Sequence, residues 1–104
     1  MTGDSTLDPV ALDPGLFDVR FENESIRVLE TKIPPGQGHG MHEHPKHLIY
    51  TLSSYTVQDS FPDGTTELIS RTAGEVVWGD ELTHAMGNVG QTVVHALIIE
   101  FKSL

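Results

Sequence analysis

From Phe17 onward the chain is cut into short runs rich in Val, Ile, Thr and aromatic residues, separated by clusters of turn residues. The runs are Phe17 to Phe21, Ile26 to Ile33, Leu48 to Leu52, Tyr55 to Gln58, Glu67 to Ser70, Glu75 to Trp78, His84 to Met86 and Thr92 to Phe101. The breaks carry Pro34-Pro35-Gly36, Pro62-Asp63-Gly64, Ala73-Gly74 and Asn88-Val89-Gly90. Branched and aromatic side chains pack well on a pleated surface, while Pro presets φ and Gly allows positive φ, so each run predicts a strand and each break a turn. No segment sustains a period of 3.6, so no long helix is expected. About eight short strands in roughly 85 residues predict an all-β antiparallel sandwich or jelly-roll-like barrel, with an interior able to take a small ligand.

A length of 104 residues fits one domain and leaves no room for a second catalytic or nucleotide-binding unit. Residues 1–16, with Asp8-Pro9 and Asp13-Pro14-Gly15, follow neither helical nor strand periodicity; they read as an N-terminal arm or covering loop ahead of a β-domain over 17–104. Such an arm can cross to a partner, and with the long apolar last run it leads to the expectation of a homodimer. Six Lys and Arg against fifteen Asp and Glu give a net charge of −9 with His neutral, which disfavours nucleic acid and anionic membranes as partners and leaves a small molecule as the expected one. No apolar run approaches the roughly 18 residues of a membrane span, and the start lacks a signal-peptide pattern, so a cytoplasmic protein is expected. With no cysteine in the chain, a metal would have to be held by nitrogen and oxygen.

That constraint gives weight to Gly36-Gln37-Gly38-His39-Gly40-Met41-His42-Glu43-His44-Pro45-Lys46-His47, which holds four of the six histidines. Neutral imidazole is a common ligand for divalent metals, and residues two apart on an extended strand share a face, so His42 and His44 can grip one ion together. Glu43, between them, points the other way. His39 and His47 stand beside glycine or proline in an expected loop or turn, where either could complete the coordination or simply be solvated. About forty residues on, Ala73-Gly74-Glu75-Val76-Val77-Trp78-Gly79-Asp80-Glu81-Leu82-Thr83-His84-Ala85-Met86-Gly87-Asn88 repeats a strand, turn and strand pattern and supplies a third histidine.

Together the two segments resemble the paired motifs of the cupin superfamily, and the resemblance extends from about Val19 to Phe101. It implies a double-stranded β-helix, the cupin jelly-roll barrel, with one divalent metal ion (Fe, Zn, Ni or Mn) in its mouth and His42, His44 and His84 as the ligands. Two positions depart from the pattern. Leu48 stands where such proteins commonly carry a ligand glutamate, and Asp80-Glu81-Leu82 replaces a Pro-x-Gly turn. A three-histidine site follows, with its cationic charge uncompensated and therefore attractive to an anionic ligand. Cupins similar to this include three-histidine iron dioxygenases acting on thiols or β-dicarbonyl compounds, and Lewis-acid lyases, isomerases and cyclases. The alternative is a non-catalytic module that binds a small ligand or uses its metal only to tie strands together.

If Leu48 marks an inward position, Tyr50 two residues on also faces in and places a phenol near the metal. By the same parity from His84, Met86 and Trp78 line the cavity or, the more ordinary role, pack in the core. His95, in the apolar run Thr92 to Ile99, is either a hydrogen-bonded pocket histidine or a proton carrier. Tyr50, His47 and His95 are thus the candidates for moving protons, and Asn88 is expected to hold a turn.

Overall fold

A computed structural model describes residues 7–104, as nine antiparallel strands and one turn of helix. They are α1 (Pro9–Leu12), β1 (Phe17–Glu22), β2 (Ile26–Ile33), β3 (Gly38–His44), β4 (His47–Thr51), β5 (Tyr55–Ser60), β6 (Thr66–Arg71), β7 (Val76–Gly79), β8 (Leu82–Asn88) and β9 (Val94–Phe101). A five-stranded sheet in the order β1-β2-β9-β4-β7 faces a four-stranded sheet in the order β3-β8-β5-β6. Among the described residues no helix is long and apolar enough to cross a membrane.

The alternation that defines a strand is clearest in β9, where Val94, Ala96, Ile98 and Glu100 are buried and the residues between them are only partly so. Between the sheets Ile33, Tyr55, Val57 and Val94 form one apolar cluster, with Leu16, Ile69 and Met86 packed on it. Phe17, Leu29 and Ile98 form another, joined by Val10 and Leu16. The three turn glycines Gly36, Gly64 and Gly74 take positive φ of 80°, 89° and 88°, as the breaks in the sequence predict. Asn88 pins the last loop: its Nδ2 donates to the carbonyls of Ile33 and Thr92, and its Oδ1 accepts from Gly90.

Two segments refine the sequence reading. Strand β3 covers a histidine and glycine stretch whose composition is not that of a strand, and cross-strand pairing with β8 overrides the weak local propensity. The described part of the arm, 7–16, is not an independent extension. Asp8 pairs with Arg27 of β2 at 2.6 Å, the Glu43 N–H donates to the Leu7 carbonyl at 2.7 Å, Pro9 is buried, and Val10 and Leu16 reach the core. The six residues before Leu7 lie outside the described set.

Candidate metal centre

The centre is built by the pairing of β3 with β8, which places His42 directly opposite His84. His44, two residues along β3, shares the inward face, and one ring nitrogen from each of His42, His44 and His84 lies within 4.8 Å of the other two. All three residues are buried. The spacing that singles out these residues in the sequence thus brings them together.

Neighbouring groups set the direction of each lone pair. A carbonyl can only accept, so the His42 Nδ1, 2.9 Å from Gly40 O, carries the hydrogen and leaves the Nε2 lone pair bare. The His44 Nδ1 donates to Glu100 Oε2 at 2.9 Å, again freeing Nε2. The two bare Nε2 atoms face each other at 3.0 Å. Protonating one ring would turn this into a hydrogen bond, but burial opposes it: burial first, then the neighbouring imidazoles, push His42 down to about 3 and hold His44 well below the usual imidazole range. A cation resolves the clash. One ion between them would accept both lone pairs.

His84 completes the set in an unsatisfied state. Its Nδ1 is 3.1 Å from Asp59 Oδ2 but not aligned as a hydrogen bond, and both His84 ring nitrogens and Asp59 Oδ1 are buried without partners. Buried polar atoms without partners cost about 1–3 kcal/mol each, and coordination through Nε2 with a turn of the ring toward Asp59 would remove the deficit. The donors therefore fit a divalent metal.

Sequence reasoning missed Glu100, which orients His44, and Asp59, which stands beside His84. Glu100 is 3% exposed and also takes two contacts from Arg27, 2.9 Å from Nε and 2.8 Å from a terminal nitrogen; Arg27 in turn holds Asp8. Burial raises the Glu100 carboxyl, opposed by the Arg27 guanidinium. In the sequence the only signal was a carboxylate in the inward register of the apolar run of β9.

The remaining expectations divide. Between His39 and His42 the register against β8 shifts by one residue, because β3 carries a bulge. The bulge turns His39 inward, 7% exposed, its ring 4.0 Å from that of His42, its Nδ1 unpartnered, and its proton affinity lowered to about 4 chiefly by burial. His47 opens β4 instead of lying in a loop. It is 2% exposed, donates from Nδ1 to Pro45 O, and stands 5.2 Å from the His44 ring. Its ring lies over Gly79, where any Cβ would collide with it.

Tyr50 does not face the imidazoles. His47, Ile49 and Thr51 are the inward residues of β4, so Leu48 and Tyr50 project from the outer face, where Tyr50 is 39% exposed. Tyr50 does share the face of Leu48, but Leu48, inward by the resemblance, faces out, because the break at Pro45-Lys46 separates β4 from β3. Trp78, opposite Leu48, is half exposed and stacks on Phe101, while part of it also reaches the cavity lining. His95 is also on the outer face of its strand, bonded through Nε2 to Glu30. Met86 does face inward, into the apolar cluster.

A cavity of about 220 Å³ adjoins the imidazoles. His39, His44, His47 and His84 line one part, and Val57, Ile69, Val94 and Ile98 are among the apolar walls. Phe17 seals the cluster, its ring 5.2, 5.8 and 6.4 Å from those of His39, His42 and His44. Arg71 is the one Lys or Arg on the lining, in hydrogen-bonding contact with the buried Tyr55 phenol.

Comparison with solved structures gives the fold its family name. A cupin domain protein from Bordetella pertussis aligns with a TM-score of 0.78 and 24% identity, over 85% of this chain and 93% of that one. An RmlC-like cupin with a double-stranded β-helix from Methanocaldococcus jannaschii aligns at 0.66 and 9% identity, over 97% and 85%. The polyketide cyclase RemF from Streptomyces resistomycificus aligns at 0.56 and 20%, over 78% of this chain and 57% of its own. No family model matches the sequence, and no curated protein does. The chain has the cupin fold, a double-stranded β-helix of two antiparallel sheets.

Proposed function

We propose that this cupin-fold chain is a metal-dependent protein whose His42, His44 and His84 hold one divalent ion against the cavity, and that it acts on a small anionic or dicarbonyl compound. The observation that carries the reading is the convergence of two bare Nε2 lone pairs at 3.0 Å beside an unsatisfied His84. When bound, the ion supplies Lewis acidity, and oxygen activation as well if it is iron(II).

The residues of the chain do the rest. The apolar walls and Phe17 exclude water from the imidazole side. Arg71, which forms no ion pair among the described residues, meets the anionic end of the substrate, with Tyr55 fixing its guanidinium. His39 and His47, buried, neighbouring the ligands and lining the cavity, are the groups in place to take or return a proton.

The polyketide cyclase among the fold neighbours supports the Lewis-acid branch, in which an enolisable carbonyl is polarised without net oxidation. The dioxygenase branch is supported by the resemblance of the two motifs to cupins in which three imidazoles hold iron. The deciding experiment is elemental analysis of untagged protein, followed by incubation of the iron-loaded form with β-dicarbonyl compounds under oxygen and under argon. Oxygen uptake in step with substrate loss identifies a dioxygenase, and turnover under argon a Lewis-acid enzyme. Stoichiometric metal with no turnover of either kind would favour the non-catalytic reading.

A further inference from the structure

The inward side chains of the barrel fall into tiers. Pairing of β4 with β9 sets His47 beside Glu100, Ile49 beside Ile98 and Thr51 beside Ala96. Pairing of β5 with β6 sets Asp59 beside Glu67, Val57 beside Ile69 and Tyr55 beside Arg71. Residues two apart on a strand share a face, so each sheet carries three successive levels. The first level is polar and belongs to the imidazole end: Asp59 stands 3.1 Å from His84, and His44 has Glu100 at 2.9 Å and the His47 ring at 5.2 Å. The second is aliphatic throughout, with Ile49, Ile98, Val57 and Ile69 all on the cavity wall. The third brings the buried Tyr55 phenol and the Arg71 guanidinium into hydrogen-bonding contact. Arg71 has no carboxylate partner among the described residues. The Glu75 carboxylate, close enough to act on the Tyr55 phenol, accepts from the Thr72 N–H instead.

We infer that the substrate is a two-headed anion: one end is taken by the centre at His42, His44 and His84, and a carboxylate at the other end of a short hydrocarbon chain is held by Arg71 and Tyr55. Resting on the metal-centred reading above, this assigns a substrate class, a dicarboxylate or a β-dicarbonyl compound with a terminal carboxylate. Distance sets the chain length. From Asp59 back to Tyr55 is four residues of strand, ~13 Å at ~3.3 Å per residue. Contacts of ~2–3 Å at each end leave roughly 8 Å between the two heads, the span of about six carbons. Volume agrees, since about 220 Å³ matches about seven waters at ~30 Å³ each, room for a slender chain and too little for fused rings. Charge fixes the direction. Asp59 and Glu67 make the lining acidic at the imidazole end, whereas Arg71 is its one Lys or Arg, so a carboxylate without a chelating neighbour goes to Arg71. The planar guanidinium can meet it with two parallel donors, and the aliphatic level between the heads accepts methylenes and penalises a polar group midway.

Cobalt-loaded protein tests this, because its visible absorption reports a ligand entering the metal's coordination shell. Titration with adipate, hexanoate and succinate separates the second carboxylate from chain length. Adipate should bind the wild type about tenfold or more tightly than hexanoate, which has one head, and than succinate, which is too short to reach Arg71. In Arg71→Gln the preference for adipate over hexanoate should vanish while hexanoate binds as before. If that variant does not fold, Arg71→Lys takes its place; it keeps the charge but loses the paired donors, and the preference should fall. Adipate no tighter than hexanoate, or a preference unchanged in the folded variant, overturns the two-headed substrate and leaves the metal centre standing. A protein that takes up no stoichiometric cobalt overturns both.

Discussion

The two faces of the five-stranded sheet are made by the same strands and differ in almost every respect. On β9 the inward residues Val94, Ala96, Ile98 and Glu100 serve the core and the centre, while His95, Leu97, Ile99 and Phe101 look outward. On β4 the same division separates His47 from Leu48 and Tyr50. The inner face buries polar groups in specific partnerships, and the outer face exposes apolar groups that have none. Because side chains alternate with period two, one strand can satisfy both demands, and a slip of one residue would exchange them.

The contrast is broken most severely by His84→Ala. This variant should lose stoichiometric metal entirely, where a substitution on the outer face such as Tyr50→Phe should leave the metal content unchanged, both read by elemental analysis. Glu100→Gln should come next. It keeps the volume but removes the carboxylate that orients His44, and metal affinity measured by chelator competition should fall about 10- to 100-fold. A smaller effect, on stability alone, separates core from surface: Leu29→Ala, at a fully buried position, should cost about 2–5 kcal/mol in denaturant unfolding, whereas Leu68→Ala, 68% exposed, should stay within about 0.5 kcal/mol.

The gentlest test is pH. His39, His42 and His44 are neutral in the folded state, with proton affinities lowered to about 4, to about 3 and well below the usual range. As pH falls below the ordinary imidazole value of ~6.5 the unfolded chain takes up protons first. The stability that the neutral cluster contributes is therefore whole above ~6.5 and is lost as pH falls toward those folded values. The melting temperature of metal-free protein should drop between pH 6.5 and 4, and His39→Phe should make that drop shallower.

The parts of this molecule legible in its sequence are those encoded within a few residues. The turn glycines, the apolar runs and the His42, His44 pair all have local signatures, and His84 stood out through its place in the second motif. Glu100 and Asp59 had no such local signature: Glu100 meets His44 from the opposite sheet, 56 residues away, and Asp59 stands beside His84 on the neighbouring strand, 25 residues away. Tyr50 follows Leu48 as parity requires, but the premise that Leu48 faces inward came from the resemblance, and after the corner at Pro45-Lys46 both face out. His39 was undervalued for a related reason: counted strictly by twos from His42 it faces solvent, and only the bulge turns it in.

That bulge sets two residues of β3 against one of β8, and Gly40 within it also holds the His42 Nδ1 hydrogen. Deleting Met41 would leave His39 two places from His42, inward as before and opposite Met86, so the strand would pair regularly with its imidazoles still on one face. A single-codon deletion could thus straighten the bend beside the candidate centre without turning any of its rings away.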